Sequence, residues 1–169
     1  MPQAEVIRTY LEMRTREDLR SEPGAIQGVR LEPVDPCPPE LYRFLYSAVG
    51  REYHWRDRLA WTEQQLQEWL RGPSTIWVMR QGQSLAGYFE LRRHEDGSVE
   101  IVYFGLMPGF LGRGLGRHLL TRSVEEAWAL GPSRVWVHTC TLDHPAALPN
   151  YLNRGFRTVR EEKYQVELP

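Results

Sequence analysis

The sequence has 169 residues, which is the size of one domain and leaves little for a second. Apolar residues make up 41% of it and charged residues 25%, and 21 basic residues nearly balance 22 acidic ones. This is the composition of a folded soluble protein, and the net charge of −1 argues against nucleic-acid or membrane partners.

The two cysteines, Cys37 and Cys140, favour reduced thiols rather than a disulfide scaffold. No histidine belongs to an HxxxH or HExxH pattern, and we expect no metal site. No apolar run approaches the roughly 18 residues of a membrane span, and the first residues lack the apolar core of a signal peptide. We therefore expect a cytoplasmic protein.

In chain order, loose alternation predicts a strand over 5–13, and polar residues with Pro23 and Gly24 predict a loop over 14–28. Residues 1–28 are thus expected to form an N-terminal strand-and-loop extension of the single domain, 1–169. A second short strand is predicted over 29–34.

Two helices follow, over 39–50 and 63–71, because apolar residues recur there at helical spacing. Thr62 and Gln65 show the capping-box pattern at the start of the second helix. The apolar stripe of the first helix is expected to be Leu41, Phe44, Leu45 and Ala48.

Three strands are predicted in the middle of the chain, over 75–79, 85–92 and 99–107. Tight turns at 81–83 and 95–97 join them into an antiparallel meander. A helix with a long apolar stripe then begins after a glycine-rich loop. That stripe consists of Leu115, Leu119, Leu120, Val124, Ala127 and Trp128.

The C-terminal part is predicted to contain a strand over 134–139, a helix over 146–154 and a final extended segment over 156–168. The element order is β-β-α-α-β-β-β-α-β-α-β. It indicates an α/β fold of the α+β type, with a mixed, mostly antiparallel sheet flanked by helices.

The loop before the long helix reads Leu-Gly-Arg-Gly-Leu-Gly-Arg over 111–117. Alternate glycines let the backbone approach a ligand, and a helix N-terminus offers free N–H groups and a partial positive charge to a pyrophosphate. A dinucleotide-binding loop would read GxGxxG in a parallel βαβ unit, and a Walker loop would read GxxxxGK[ST]. Neither pattern is present, which favours the pyrophosphate of another carrier.

The stretch 99–120 resembles the acetyl-CoA motif of the GNAT superfamily of N-acetyltransferases, whose loop reads Gln/Arg-x-x-Gly-x-Gly/Ala. Gly114 and Gly116 match it, whereas Leu111 departs from its first position. A second GNAT pattern is matched by Ala147, Tyr151, Gly155 and Phe156, although His144 stands where the family often has Asn.

The resemblance implies a GNAT fold, with acetyl-CoA in the cleft where the strands at 99–107 and 134–139 part. It implies hydrogen bonding of the coenzyme sulfur by Tyr151. A phenol has a pKa near 10 and a thiol a pKa near 8.5, so transfer of the phenol proton to the thiolate is uphill. A hydrogen bond from Tyr151 to the thiolate is therefore an alternative to full proton transfer. The residues expected to bind the cofactor are Leu106, Met107, Gly112, Arg113, Gly114, Leu115, Gly116 and Arg117.

In this family a backbone N–H at a strand bulge polarises the thioester carbonyl, and Leu106 is the expected donor. Gly105 is compatible with such a bulge. Glu100 resembles the family's general base and shares parity with Phe104 and Leu106, which predicts that they face the same side of the sheet. Glu90 is the reserve for this role.

Residues 53–61 correspond to the wall of the acceptor site in this fold, and Tyr53 and Trp55 are the expected contacts with the acceptor. The stretch 138–141 ends a strand beside the expected thioester channel. Within it, Cys140 fits a small packed thiol better than an acyl-carrying nucleophile.

The sequence thus predicts an N-acetyltransferase that uses acetyl-CoA, without a metal, to acetylate a primary amine by direct attack. The acceptor is left open between a small molecule and a peptide, and the family resemblance also allows a homodimer. Two alternatives remain: a non-catalytic acyl-CoA sensor on the same fold, and a different acyl donor.

Overall fold

The computed structural model describes residues 2–22 and 26–168, so Pro23 and Gly24 of the predicted loop lie outside the described residues. In these ranges the predicted order of elements and the fold class are confirmed. The elements are β1 (Gln3–Met13), β2 (Val29–Val34), α1 (Pro39–Gly50), α2 (Glu63–Arg71), β3 (Ser74–Gln81), β4 (Ser84–Arg93), β5 (Val99–Leu106), α3 (Leu115–Ala129), β6 (Val135–Cys140), α4 (Ala147–Asn153) and β7 (Arg157–Glu167).

Short 3-10 turns add to these elements at Arg16–Asp18, Arg51–Tyr53 and Pro108–Phe110. The predicted capping box of α2 is present, because the Thr62 hydroxyl accepts from the N–H of Gln65 and the Gln65 side chain accepts from the N–H of Thr62. No helix in the described part of the chain is long and apolar enough to cross a membrane.

The strands form one sheet in the order β2-β3-β4-β5-β6-β1-β7. All neighbouring pairs that the structure describes are antiparallel except β5 and β6. The N-terminal strand β1 is an interior strand of this sheet, bonded to β6 on one side and to β7 on the other. Its side chains Val6, Leu11 and Met13 are fully buried, so the segment predicted as an extension contributes directly to the core.

Two apolar cores lie on opposite faces of the sheet. The core under α3 and α4 contains the whole predicted stripe of α3. The core under α1 and α2 corrects the predicted stripe of α1, since Phe44 is 54% exposed. The buried side chains of α1 are Tyr42, Leu45, Tyr46 and Val49. The sequence interpretation counted the aliphatic residues and Phe44, whereas tyrosines, with apolar rings and polar tips, supply half of this face.

A β-bulge at Val102 changes which side chains of β5 share a face. Glu90 pairs with Tyr103 but Leu91 pairs with Ile101, which leaves Val102 as the extra residue. Ile101 and Phe104 therefore both pack toward α3 although they are three residues apart. The predicted shared face is consequently wrong.

Glu100, next to Ile101, lies on the opposite face of the sheet from Phe104 and Leu106, toward α1 and α2. The strict alternation from which its orientation was predicted stops at the bulge.

Gly105 is not part of that bulge. A Cβ built on it would overlap Cγ1 of Val49, so glycine is required there because α1 packs against the backbone of β5.

Candidate active site

The main cleft begins where β5 and β6 separate. Their parallel pairing covers only three residue pairs and ends at Ile101 and Val137. Beyond this point a cavity of about 900 Å³ opens between the two strands. Its lining comes from both faces of the sheet, from the loop and helices on the α3 side and from the segment after α1 on the other. The cleft thus passes through the plane of the sheet.

The glycine-rich loop forms the α3 end of this cleft. Gly112 and Gly114 both have φ of +77°, a left-handed conformation that strains any residue with a side chain, and Gly114 directly precedes α3. Gly112, Gly114, Gly116 and Arg117 all line the cavity. Because the N–H groups of the first helical turn have no partners within the helix, this end of the cleft suits an anionic group.

Three of the predicted cofactor-binding side chains do not line the cleft. Met107 and Leu115 are buried in the two cores, and the guanidinium of Arg113 lies over the ring of Phe110, 5.3 Å from its centroid. The backbone groups of Met107 and Leu115 remain candidates for contact with a ligand, whereas the exposed guanidinium of Arg113 lies outside the lining of the cleft.

The backbone N–H of Leu106 faces the gap between β5 and β6. The N–H of Met107 donates to the carbonyl of Ala86 on β4, at 2.8 Å. Since N–H groups of successive residues in a strand point to opposite sides, the N–H of Leu106 points away from β4. β6 has already diverged at this position, and Leu106 lines the cleft.

Tyr151 on α4 presents its hydroxyl to the same cleft. The residue is only 6% exposed, and its ring packs near Phe104 and Phe156 with centroids 6.2 and 5.9 Å apart. Its hydroxyl has no hydrogen-bond partner among the described residues. Burial, and to a smaller extent the charge of Asp143, raise the pKa of Tyr151, so the phenol stays protonated and can donate.

Glu100 does not line the cleft, although its neighbour His138 does. One Glu100 oxygen lies 2.9 Å from Nε2 of His94, and the other lies 4.0 Å from Nε2 of His138. The His138 side chain is 36% exposed. The sequence placed His138 beside the channel but gave it no role. The signal in the sequence was that His138 alternates with apolar residues on a strand that ends beside the channel.

Burial is the main cause of the lowered pKa of His138. The positive charge of Arg8 acts in the same direction, whereas the carboxylates of Glu100, Asp143 and Asp57 favour the protonated ring. The net effect keeps His138 neutral at pH 7, which is the form that can accept a proton.

Glu90, the reserve base, has a structural position instead. It is fully buried and does not line the cleft. Its carboxylate accepts from the Tyr42 hydroxyl at 2.6 Å and from Nε1 of Trp69 at 2.7 Å. It therefore ties α1 and α2 to β4, and burial raises its pKa.

An aromatic wall forms the end of the cleft on the α1 side. The Trp55 ring lies 5.5 Å from the ring of Tyr46 and 4.9 Å from that of Tyr103. Tyr53 also lines the cleft and meets His144 edge to face at 6.0 Å. The two predicted acceptor contacts, Tyr53 and Trp55, thus line the same cavity.

Cys140 also lines the cleft, and both cysteines are free thiols. Burial raises the pKa of Cys140, which makes it a poor nucleophile at neutral pH. Within residues 2–22 and 26–168, no group of three or more His, Cys, Asp or Glu side chains is arranged to hold a metal ion.

Comparison with known proteins accounts for this arrangement. The family model for the Acetyltransferase (GNAT) family matches residues 40–156. The chain belongs to the GNAT acetyltransferase family. The glycine loop and Tyr151 lie within the matched range, as does most of the lining of the cleft, whereas Arg8 and the lining residues of β7 lie outside it.

A curated relative is the mycothiol acetyltransferase of Corynebacterium efficiens, which is 29% identical over 145 residues. The match covers 82% of this GNAT chain and 48% of the relative, so the chain spans about half the length of that protein.

Solved GNAT structures share the fold. A GCN5-related N-acetyltransferase from Sphaerobacter thermophilus is 14% identical with a TM-score of 0.71, covering 95% of this chain and 50% of that one. A Bacillus subtilis acetyltransferase in complex with CoA is 23% identical with a TM-score of 0.56, covering 76% of each chain.

Proposed function

We propose that this chain is an N-acetyltransferase that moves an acetyl group from acetyl-CoA to the primary amine of a small-molecule or peptide acceptor by direct attack. The observation that carries the proposal is the meeting of three groups in one cleft: the glycine loop before α3, the N–H of Leu106 and the unpaired hydroxyl of Tyr151. The family match supports acyl transfer, and the CoA complex of the Bacillus subtilis protein supports the carrier.

The residues present fit acetyl-CoA. The left-handed glycines leave open space at Gly112, where an added Cβ would meet nothing within 4 Å, and the first turn of α3 would bind the pyrophosphate. When bound, acetyl-CoA supplies the activated acetyl thioester. Leu106 would donate its N–H to the carbonyl oxygen, where negative charge develops. Tyr151 would donate to the sulfur as the carbon–sulfur bond breaks.

His138 is the group proposed to take the proton from the attacking amine, directly or through one water. It faces the cleft, whereas Glu100, predicted from the sequence as the base, does not. Glu100 would instead be a positioning residue, holding a negative charge 4.0 Å from the His138 ring. His94, bonded to Glu100, borders a separate surface depression and would connect the pair to solvent.

The first experiment is thermal unfolding of the protein with acetyl-CoA, CoA, NAD and ATP in parallel. A ligand of the native state at 100 times its dissociation constant adds about 2.7 kcal/mol, which raises Tm by roughly 5–10 °C for a chain of this size. Acetyl-CoA and CoA should give this shift and NAD and ATP should not. The variant Gly114→Val, which strains the loop, should lose it.

A turnover assay then distinguishes catalysis from sensing. Release of free thiol with a panel of amines is expected from an enzyme, whereas stabilisation by CoA without thiol release would identify the non-catalytic alternative. Absence of any shift with CoA or acetyl-CoA would overturn the proposed function. A cytoplasmic location, a homodimer and the preference for acetyl over longer acyl groups stay predictions.

A further inference from the structure

Arg8 on β1 lines the cleft on the face of the sheet away from α3 and the glycine loop. It pairs in register with Cys140 on β6 and with Glu162 on β7. Alternation along β1 places Arg8 on the same face as Tyr10, and Tyr10 pairs in register with His138 on β6. This is the face of the aromatic wall, away from α3, and the Arg8 side chain lines the cavity there.

The partners of the Arg8 guanidinium are two tyrosine hydroxyls, those of Tyr10 and Tyr164. One Nη donates to the Tyr164 hydroxyl at 3.4 Å, and the group lies 5.1 Å from the centroid of that ring. In the part of the chain that the structure describes, Arg8 forms no ion pair with a carboxylate. Its Nε is buried and has no hydrogen-bond partner there. Arg58, Arg122 and Arg154 also have a buried Nε without a partner, but of these four arginines only Arg8 lines the cleft. A buried N–H of a charged group without an acceptor is costly, and at Arg8 a ligand in the cleft can supply the acceptor.

The nearest carboxylate in register does not meet this need. Glu162, directly across from Arg8, forms an ion pair with Arg160 at 3.2 Å and accepts from Tyr10. The other arginines of the cleft differ from Arg8. Arg117 lies on the α3 side near Glu22, and Arg56 is exposed and donates to the backbone carbonyl of Glu167.

Charges of both signs surround the His138 ring. Arg8 lies on one strand, while Asp143 follows β6 and Asp57 follows α1, and all three line the cleft. A guanidinium beside the ring and carboxylates near it form a pattern that complements a molecule carrying an anion and an amine. Guanidinium groups bind carboxylates through two parallel hydrogen bonds, which also fixes the orientation of the ligand.

We propose that the acceptor is an amine that also carries a carboxylate, such as an amino acid, and that the carboxylate binds Arg8 while the amine lies near His138. This inference rests on the proposed function and adds the substrate class to it. Because β1 lies between β6 and β7 in the sheet, the backbone of Arg8 is held in place beside the acceptor end of the cleft.

The test uses matched pairs of amines, amino acids and their carboxamides, with thiol release as the readout. The wild-type protein should use the acids with a kcat/KM about 10 to 100 times that of the amides, the effect of a charge-assisted hydrogen-bond pair. Arg8→Gln should remove this preference by raising KM for the acids. Its KM for acetyl-CoA should not change. Loss of the Arg8 charge also raises the pKa of His138, so acids and amides are compared at a pH well above that pKa, and the ratio of their kcat/KM values is the readout.

Two further variants complete the design. Arg56→Gln removes an exposed arginine at the same cleft and should keep the preference for acids. Arg8→Lys keeps the positive charge but not the planar guanidinium, and should lose only part of the preference for acids. This variant also tests the proposal if Arg8→Gln fails to fold. Equal use of acids and amides by the wild type, or an equal loss on both in Arg8→Gln, would refute the proposal. A preference for phosphate-bearing amines over amino acids would refute the carboxylate assignment.

Failure of the proposed function has a different signature. If no amine releases thiol, calorimetric titration of the same acids and amides onto the wild type and Arg8→Gln still tests the anion site. Binding of acids alone that depends on Arg8 supports it, and no difference between acids and amides contradicts it.

Discussion

At the scale of single residues, Tyr151 combines a buried ring with a free hydroxyl. Tyr151→Phe keeps the ring against Phe104 and Phe156 and removes only the donor. A hydrogen bond to a charged group contributes about 1.5–3 kcal/mol, so kcat should fall about 10- to 150-fold while KM for acetyl-CoA stays near the wild-type value. Steady-state kinetics of thiol release measure both constants.

Tyr88→Phe is the matched control for this change. The Tyr88 hydroxyl is also buried without a partner among the described residues, but it lies outside the cleft. Its removal should leave kcat unchanged. An active Tyr151→Phe variant with wild-type kcat would remove the tyrosine from the proposed mechanism.

The imidazole of His138 should set the acid limb of the pH profile. A base works only when it is deprotonated, so activity should fall as the pH decreases through the pKa of His138. Burial lowers that pKa, so the limb should lie below the ordinary value of about 6.5. The assay uses an acceptor amine whose own pKa lies below this range. The amine is then neutral throughout, and its ionisation does not contribute to the limb.

Two variants test this assignment. His138→Gln should abolish the limb and lower kcat about 10²- to 10⁴-fold, the usual contribution of a general base. Glu100→Gln removes a negative charge that raises the pKa of His138, so the limb should move to still lower pH with activity largely kept. An unchanged limb in His138→Gln would assign the titration to another group.

At the scale of elements, Glu90 joins α1 and α2 to the sheet through the Tyr42 hydroxyl and the Trp69 indole. Tyr42→Phe leaves a fully buried carboxylate with one donor fewer, which costs about 1–3 kcal/mol of the free energy of unfolding. Tm should fall by about 3–10 °C for a chain of this length. Differential scanning calorimetry checks the shift.

The same Tyr88→Phe variant controls for the loss of a buried hydroxyl on this face of the sheet. Because that hydroxyl has no partner among the described residues, its removal should change Tm little or raise it. Equal destabilisation by both variants would show that the Glu90 bridge adds nothing to the docking of the helices.

At the scale of the whole molecule, the interior position of β1 makes the N-terminal segment part of one cooperative unit. Leu11 is fully buried in the core under α3 and α4, and Leu11→Ala should cost about 2–5 kcal/mol through lost burial and the cavity left behind. Urea unfolding followed by circular dichroism and by tryptophan fluorescence should give coincident single transitions.

Leu152→Ala is the control, since Leu152 is 42% exposed and its truncation should change stability by at most about 0.5 kcal/mol. Two separate transitions, or an effect of Leu11→Ala as small as that of Leu152→Ala, would mean that β1 is a peripheral addition to an independently stable domain.

The sequence by itself determined the elements, the loop and the tyrosine. Periodicity, turns and caps depend on neighbouring residues, so the seven strands and four helices of the described ranges follow from short windows. The glycines at 112, 114 and 116 and the pattern that ends in Tyr151 are equally local. They placed the predicted anion-binding loop and the predicted donor without knowledge of the tertiary fold.

Only the tertiary structure decided which groups meet. The bulge at Val102 depends on the register between β4 and β5, and it turns Glu100 away from the face that alternation predicts. The insertion of β1 beside β6 brings Arg8 to His138 from the other end of the chain. Contacts between strands so distant in sequence are chosen by the burial of whole faces, which no short window of residues records.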